Sequence, residues 1–283
     1  MVAFVILHYK SINDTLLCID SIERQCSDYK IIVVDNGSNV DNDIVLLQKR
    51  NIHLITLDEN IGFAKGNNVG CKFAIENYSP DFLCVLNSDT IIEQSNFIEK
   101  IFSIYDETQF DVLGPKILPE NLNSSNPFPV YKTLKEVEES IEYANKAIRI
   151  YSSKTTTFLF RIYSSIKHLI KKPKIIKNGK ERLEGVGLHG CALIFSRNYC
   201  NKFYQNIFYS NTFLYHEEEF LYYRCKKENL KFIYDPEIEI YHNEGKSLDK
   251  SIKSLRERNL FRFQEILKSL EELKRVMIKD VNI

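Results

Sequence analysis

The sequence predicts an α/β protein built from βαβ units around a parallel sheet. Three observations carry this. Short apolar runs recur at 2–7, 30–35, 52–57 and 82–87, and an unbroken apolar run suits a strand buried on both faces. Stretches of helical periodicity separate them, and strands alternating with helices of about 10–15 residues join as parallel crossover units. Polar or acidic clusters follow the strands, at the carboxyl edge where open α/β sheets bind ligands.

The elements follow in order. "VAFVIL" (2–7) is a strand, and 13–26 a helix with Leu16, Leu17, Ile19, Ile22 and Cys26 at helical spacing and Asn13 or Asp14 as N-cap. Residues 30–35 form the second strand, 39–50 a helix, 52–57 the third strand, 64–77 a helix and 82–87 the fourth strand. A helix at 95–106 precedes a strand at 111–118. The turn-rich 119–129 reads as a loop, and 133–151 as a charged helix. Residues 149–182 hold ten basic residues and one acid, Glu181. Beyond them, 185–197 is Gly-rich and then a strand, 213–230 a helix headed by three acids, 231–247 strand, turn, strand and loop, and 249–279 a long amphipathic helix.

The totals exclude several classes. At 283 residues and 44% hydrophobic, the chain can build one large domain, or a domain with a subdomain. Lys+Arg and Asp+Glu are both 38, so no global field calls for nucleic acid. Seven cysteines, an odd number without a C-x-x-C pair, fit a reduced cytosolic protein lacking a structural zinc site. "MVAFVILHYK" lacks the basic start and cleavage site of a signal peptide. No stretch approaches the roughly 18 apolar residues that span a bilayer.

Four clusters could carry chemistry. Asp35, opening "DNGS", can accept a hydrogen bond from a nucleobase or ribose, or simply shape a turn. "DENIGFAKGNNVG" (58–70) brings glycines to a helix start, where backbone can approach an anionic ligand, but it is neither the dinucleotide fingerprint nor a phosphate loop. Asn87-Ser88-Asp89 places hard oxygen ligands at a strand end, as a divalent cation beside a diphosphate requires. "HEEEF" (216–220) either complements a helix dipole or supplies a general base of raised pKa.

Taken in order, "VILHYKSINDTLLCIDSI", "YKIIVVDNGS", "NIGFAKGNN", "FLCVLNSDT", "GPKI", "HGCALIFSR", "FLYHEEEFL" and "YHNEGKS" resemble the family 2 inverting glycosyltransferases of GT-A fold, especially rhamnosyltransferase-like members that build bacterial surface polysaccharides. The resemblance spans residue 2 to about 247, with a weak patch at 119–182. It implies a Rossmann-like nucleotide-sugar-binding half at 1–118, a helical basic insertion at 119–182, an acceptor and catalytic half at 183–247 and a C-terminal helix at 248–283, on one mixed sheet. Residue by residue, it implies that Tyr9 and Asp35 hold the base, with His8 where many members carry Asn or Thr. Asn60, Gly62, Phe63 and Asn67 match the donor-lining stretch, and Asn87-Ser88-Asp89 matches the Asp-x-Asp metal motif in an Asn-first form. Glu217-Glu218 matches the pair whose second acid is the base, His189 and Gly190 the acceptor-side loop, and His242 a histidine near the metal. The implied donor is UDP- or dTDP-linked, the cation Mg²⁺ or Mn²⁺, and the acceptor a saccharide on a membrane lipid.

Two other classes compete with this reading. A non-catalytic GT-A-like binding domain is allowed by Asn87 where an acid is usual, but Asp89, Glu218 and His242 argue against it. A dinucleotide oxidoreductase lacks its glycines. The apolar stripe of 249–279 packs on its own domain or forms a homodimer contact. Residues 154–177 combine apolar residues such as Phe158, Phe160 and Ile162 with Arg161, Lys167, Lys171, Lys172, Lys174 and Lys177, and contain no acid. That composition predicts a peripheral contact with the inner face of the cell membrane, or an amphipathic helix covering the core.

Overall fold

The computed structural model describes residues 1–118, 126–157, 179–243 and 254–279. Its centre is the run β1 (Val2–His8), β2 (Tyr29–Asp35), β3 (His53–Thr56) and β4 (Phe82–Asn87), all paired in parallel. Between them lie α1 (Ile12–Glu23), α2 (Asp41–Gln48) and α3 (Phe63–Tyr78). The short β5 (Thr90–Ile91), α4 (Phe97–Thr108) and β6 (Val112–Leu118) follow. The alternation read from the sequence is the alternation observed, because each strand is covered on both faces. Phe4, Ile6 and Val33 pack with Ile19 and Ile22 of α1 and Ile98 and Ile101 of α4. The intervening Ala3, Val5, Ile32 and Val34 pack with Ala64, Cys71 and Ala74 of α3. Six of the seven cysteines are buried and Cys26 is exposed.

The C-terminal half completes a mixed sheet. It adds α5 (Leu134–Ser152), β7 (Leu183–Glu184), β8 (Ala192–Ser196), α6 (Arg197–Lys202), α7 (Glu217–Lys227), β9 (Phe232–His242) and α8 (Leu255–Lys279). Among the described residues the sheet runs β3-β2-β1-β4-β8-β6-β9-β5, with β7 beside β9. β8 is antiparallel to both β4 and β6, so strand direction reverses beside β4.

Four local expectations are corrected. Residues 231–247 do not fold as strand, turn, strand: β9 is continuous to His242 and absorbs Asp235-Pro236 as a bulge, its partner register stepping from Asp235 opposite Pro115 to Glu239 opposite Lys116. Proline has no N–H for the ladder, so the chain bulges there. The helix expected at 213–230 starts only at Glu217, because Tyr215 and His216 have φ of 73° and 69°. The strand expected within 185–197 is confined to β8. Helix α1 begins at Ile12 behind Ser11, ahead of Asn13 and Asp14.

Helix α5 opens with a capping box between Thr133 and Glu136. Helix α8 lies on it, Leu270, Leu273 and Val276 meeting Val137, Ala144 and Phe220. The stripe on α8 is thus spent largely within its own chain. No described helix is long and apolar enough to cross a membrane. Most of the basic stretch 154–177, from residue 158 onward, lies outside the described residues, as does much of the loop 119–129.

Candidate active site

A cleft of about 350 Å³ opens at the carboxyl edge of the parallel strands. Leu7 and Tyr9 enter it from the end of β1, Asn36 from the end of β2, and Asn87, Ser88 and Asp89 from the end of β4. Asn60, Gly62 and Phe63 line it at the start of α3, and Phe213, Leu214, Tyr215 and Phe261 form a further wall. Of the donor residues expected from sequence, Tyr9, Asn60, Gly62, Phe63, Asn87, Ser88 and Asp89 meet here.

The loop before α3 is tied on both sides. Asn36 donates through Nδ2 to Asn60 Oδ1 at 3.0 Å and to the Gly62 carbonyl at 3.2 Å, and its Oδ1 accepts from Ile61 N–H at 3.1 Å. Phe63 N–H donates to the Phe213 carbonyl at 2.9 Å. Gly62 makes that approach possible: its φ is +91°, and a Cβ there would stand 2.3 Å from the Phe213 oxygen.

His8, Asp35 and Asn67 are buried and do not line the cleft. Asp35 Oδ1 accepts from Ser38 N–H at 3.1 Å, and Asn67 Nδ2 donates to the Phe63 carbonyl at 3.1 Å. His8 sits between Thr15 Oγ1 at 2.8 Å and Asp43 Oδ2 at 3.4 Å. Burial holds its pKa below the ordinary value against the pull of Asp35 and Asp43. Of the three, Asn67 bonds directly to a lining residue, Phe63, while His8 and Asp35 are held by Thr15, Asp43 and Ser38 behind the strand ends.

A file of contacts, the last made by the Gly190 backbone, leads from Asp89 to Glu218. β5 pairs Thr90 with His242 of β9, which sets His242 Nε2 3.3 Å from Asp89 Oδ1. The His242 ring is 5.6 Å from that of His189. His189 N–H donates to Asn126 Oδ1 at 2.8 Å, and Gly190 N–H donates to Glu218 Oε1 at 3.0 Å. A Cβ at Gly190 would stand 2.9 Å from that oxygen, so the glycine lets the carboxylate close on the loop. The neighbouring acids differ. Burial, then the Glu218 charge, push the Glu217 pKa well up, and Glu219 faces His216 Nδ1 at 3.3 Å.

The residues present fit a cation shared with a diphosphate. Asp89 offers a hard oxygen, which suits Mg²⁺ or Mn²⁺, and His242 a nitrogen that Mn²⁺ accepts more readily. Among the described residues no cluster of three ligating side chains could hold an ion by itself. Mg²⁺ is commonly held by one or two carboxylates together with substrate phosphates, and the Asp89 side of the cleft fits that pattern.

Asn36, Asn126, Phe213 and Phe261 were not singled out from the sequence. Asn36 stood inside "VVDNGS", and its spacing after Asp35 was the available signal. Phe213 and Phe261 carry no local signal, since they stand 48 positions apart in the chain before packing brings their rings to 6.5 Å.

A mixed sheet with a cleft at the parallel carboxyl edge and an Asn-Ser-Asp end on β4 defines a protein of GT-A fold. Crystal structures of Staphylococcus aureus TarS 1-349 share it: one aligns with a TM-score of 0.52 at 11% identity, over 95% of this chain and 64% of that chain. A second, in complex with UDP-GlcNAc, aligns with a TM-score of 0.52 at 15% identity over 95% and 66%. The family profile "Glycosyl transferase family 2" matches residues 3–202, and the chain belongs to that family. Low-salt glycan biosynthesis hexosyltransferase Agl10 of Haloferax volcanii is 28% identical over 119 residues, 41% of this chain and 36% of that protein. dTDP-rhamnosyl transferase RfbF of Shigella flexneri is 27% identical over 100 residues, 35% of this chain and 32% of that protein. The chain thus matches about a third of the length of each of these curated relatives.

Proposed function

We propose that this chain transfers a hexosyl or deoxyhexosyl group from a UDP- or dTDP-linked sugar to a saccharide hydroxyl, with inversion, in the synthesis of a surface polysaccharide. The observation that carries the reading is the continuity from the donor-sized cleft through Asp89, His242 and His189 to Glu218. Residues 1–118 form the donor side and 183–247 the acceptor side. Tyr9 and the loop around Gly62 seat the nucleoside, backed by His8, Asp35 and Asn67. Asn87, Ser88 and Asp89 face the diphosphate. His189 and Gly190 present the acceptor.

The step is one displacement. The acceptor oxygen forms a bond to the anomeric carbon from the face opposite the leaving group. The bond from that carbon to the phosphate oxygen breaks, and the nucleoside diphosphate leaves with the electron pair. Glu218 accepts the acceptor proton. Asp89 and His242 are the residues that would hold Mg²⁺ or Mn²⁺, which when bound neutralises leaving-group charge.

Thermal-shift screening of nucleotide sugars with Mn²⁺, followed by diphosphate release with an acceptor extract, tests this reading. Stabilisation without release would favour a non-catalytic binding domain, the reading that Asn87 leaves open. Asp89→Ala is expected to weaken donor binding about tenfold and to abolish the dependence on Mn²⁺. Equal native activity in Mn²⁺ and in EDTA would remove the metal from the proposal.

The acceptor we propose is lipid-linked, met at the inner membrane face through residues 154–177. Their sequence supports this, since each basic residue near an anionic leaflet contributes about 1 kcal/mol. Flotation with anionic vesicles should recover the protein, less so in salt and less again for Lys171→Glu/Lys172→Glu. Equal recovery with neutral vesicles, or none, would sink the membrane contact.

A further inference from the structure

Helix α8 lies outside the segment that the family profile matches, yet it reaches the cleft. Three contacts join it to one short strap, residues 212–216. Phe261 packs edge-on against Phe213, ring centroids 6.5 Å apart at 83°. The Arg262 guanidinium lies 5.9 Å over the Tyr215 ring. Ser269, almost fully buried, donates through Oγ to the Leu214 carbonyl at 2.8 Å.

The strap is unusual in itself. Tyr215 and His216 are consecutive non-glycine residues in the left-handed region, at φ of 73° and 69°. Such residues cost on the order of 1–3 kcal/mol each and persist only where surrounding contacts impose them. The strap also has two outputs. At one end the Phe213 carbonyl receives Phe63 N–H of the donor loop, and at the other His216 starts the helix that bears Glu217 and Glu218.

We propose that α8 is a working part of the donor site: Phe261 closes its aromatic wall and determines donor affinity, while Arg262 and Ser269 are positioning residues that hold the left-handed strap so that Glu218 meets the Gly190 loop. The inference rests on the nucleotide-sugar reading for its ligand, but the clamp itself is a property of the chain alone. Phe261 contributes aromatic surface to the cleft, whereas the other two reach the cleft only through the strap. The two roles therefore predict different kinetic signatures. A clamp must be anchored, and α8 is anchored by its long packing on α5.

The test uses the full chain with three variants and two readouts. Phe261→Ala should raise the Kd and KM for the nucleotide sugar about tenfold and leave kcat nearly intact, with Phe261→Tyr restoring most of the affinity. Arg262→Ala/Ser269→Ala should do the reverse, lowering kcat about tenfold while donor Kd holds. Hydrogen exchange provides the second readout, because the double variant should speed exchange of the Phe220 amide, which donates to the His216 carbonyl, with no ligand present. Native donor affinity in Phe261→Ala, or native kcat and native exchange in the double variant, would overturn the proposal. If the wild-type chain binds no nucleotide sugar, the donor reading and the Phe261 role both fail, and exchange alone decides the clamp.

Discussion

Glu218→Gln should abolish sugar transfer, by about 10²-fold or more in rate, and leave donor binding as it was. The amide keeps the shape of the side chain and an oxygen to accept Gly190 N–H, the 3.0 Å contact that fixes the acceptor loop. It cannot take up the acceptor proton. The contrast with Glu217 makes the test sharp. Glu217 is buried, and its pKa is pushed well above the usual carboxylate range by that burial and by Glu218 beside it. Burial disfavours the charged form of Glu217, whereas Glu218 is the acid that reaches the Gly190 loop, so Glu217→Gln should retain most of the activity. Two adjacent acids, one buried and the other bonded to the Gly190 loop, can take different roles. Diphosphate release with an acceptor extract, and calorimetric titration of the donor, measure the two quantities separately. An active Glu218→Gln beside a dead Glu217→Gln would move the base by one residue.

Gly62→Ala should be the most damaging single change at the cleft. The residue lies at φ +91° and ψ 175°, a region open essentially to glycine alone. Its new Cβ would meet the Phe213 carbonyl oxygen at 2.3 Å and carbon at 3.0 Å, and backbone atoms cannot rotate aside. Relief requires the loop to part from the strap, breaking the bond from Phe63 N–H to the Phe213 carbonyl and opening the donor wall. The combined cost is about 3 kcal/mol or more. The melting midpoint should fall by roughly 6 °C or more, and donor affinity with it. A variant that melts with the wild type and binds donor as tightly would show that Gly62 is not held against the strap.

Much of the fold was legible because its signals are local. An unbroken apolar run has one stable use in a helix-covered sheet, and β1, β2 and β4 appeared where such runs stand. The polar clusters at strand ends were legible for the same reason, since β4 delivers Asn87, Ser88 and Asp89 to the sheet edge by its length alone. The late start of α7 was not legible. Nothing in "FLYHEEEFL" forbids a helix through Tyr215, and the left-handed pair arises where the strap is held by α8 and bonded to the donor loop. The continuity of β9 through Asp235-Pro236 depended likewise on β6 as its partner.

By itself, then, the sequence determined which residues are apolar and in what rhythm, and hence the βαβ order, the edge of the sheet that would bind ligand, and most of the residues brought to it. Tertiary structure alone decided which of them face the cleft. His8, Asp35 and Asn67 belong to the same motifs as Tyr9, Asn36 and Phe63, yet packing turned the first three inward and the others to the cavity. It also decided that Glu217 is sealed in while Glu218 reaches Gly190, and that Phe261 completes a wall begun by Phe213. The reason is physical. Periodicity records the free energy of burying one face of one element, a short-range quantity, whereas a side chain's exposure depends on which distant surface arrives to cover it.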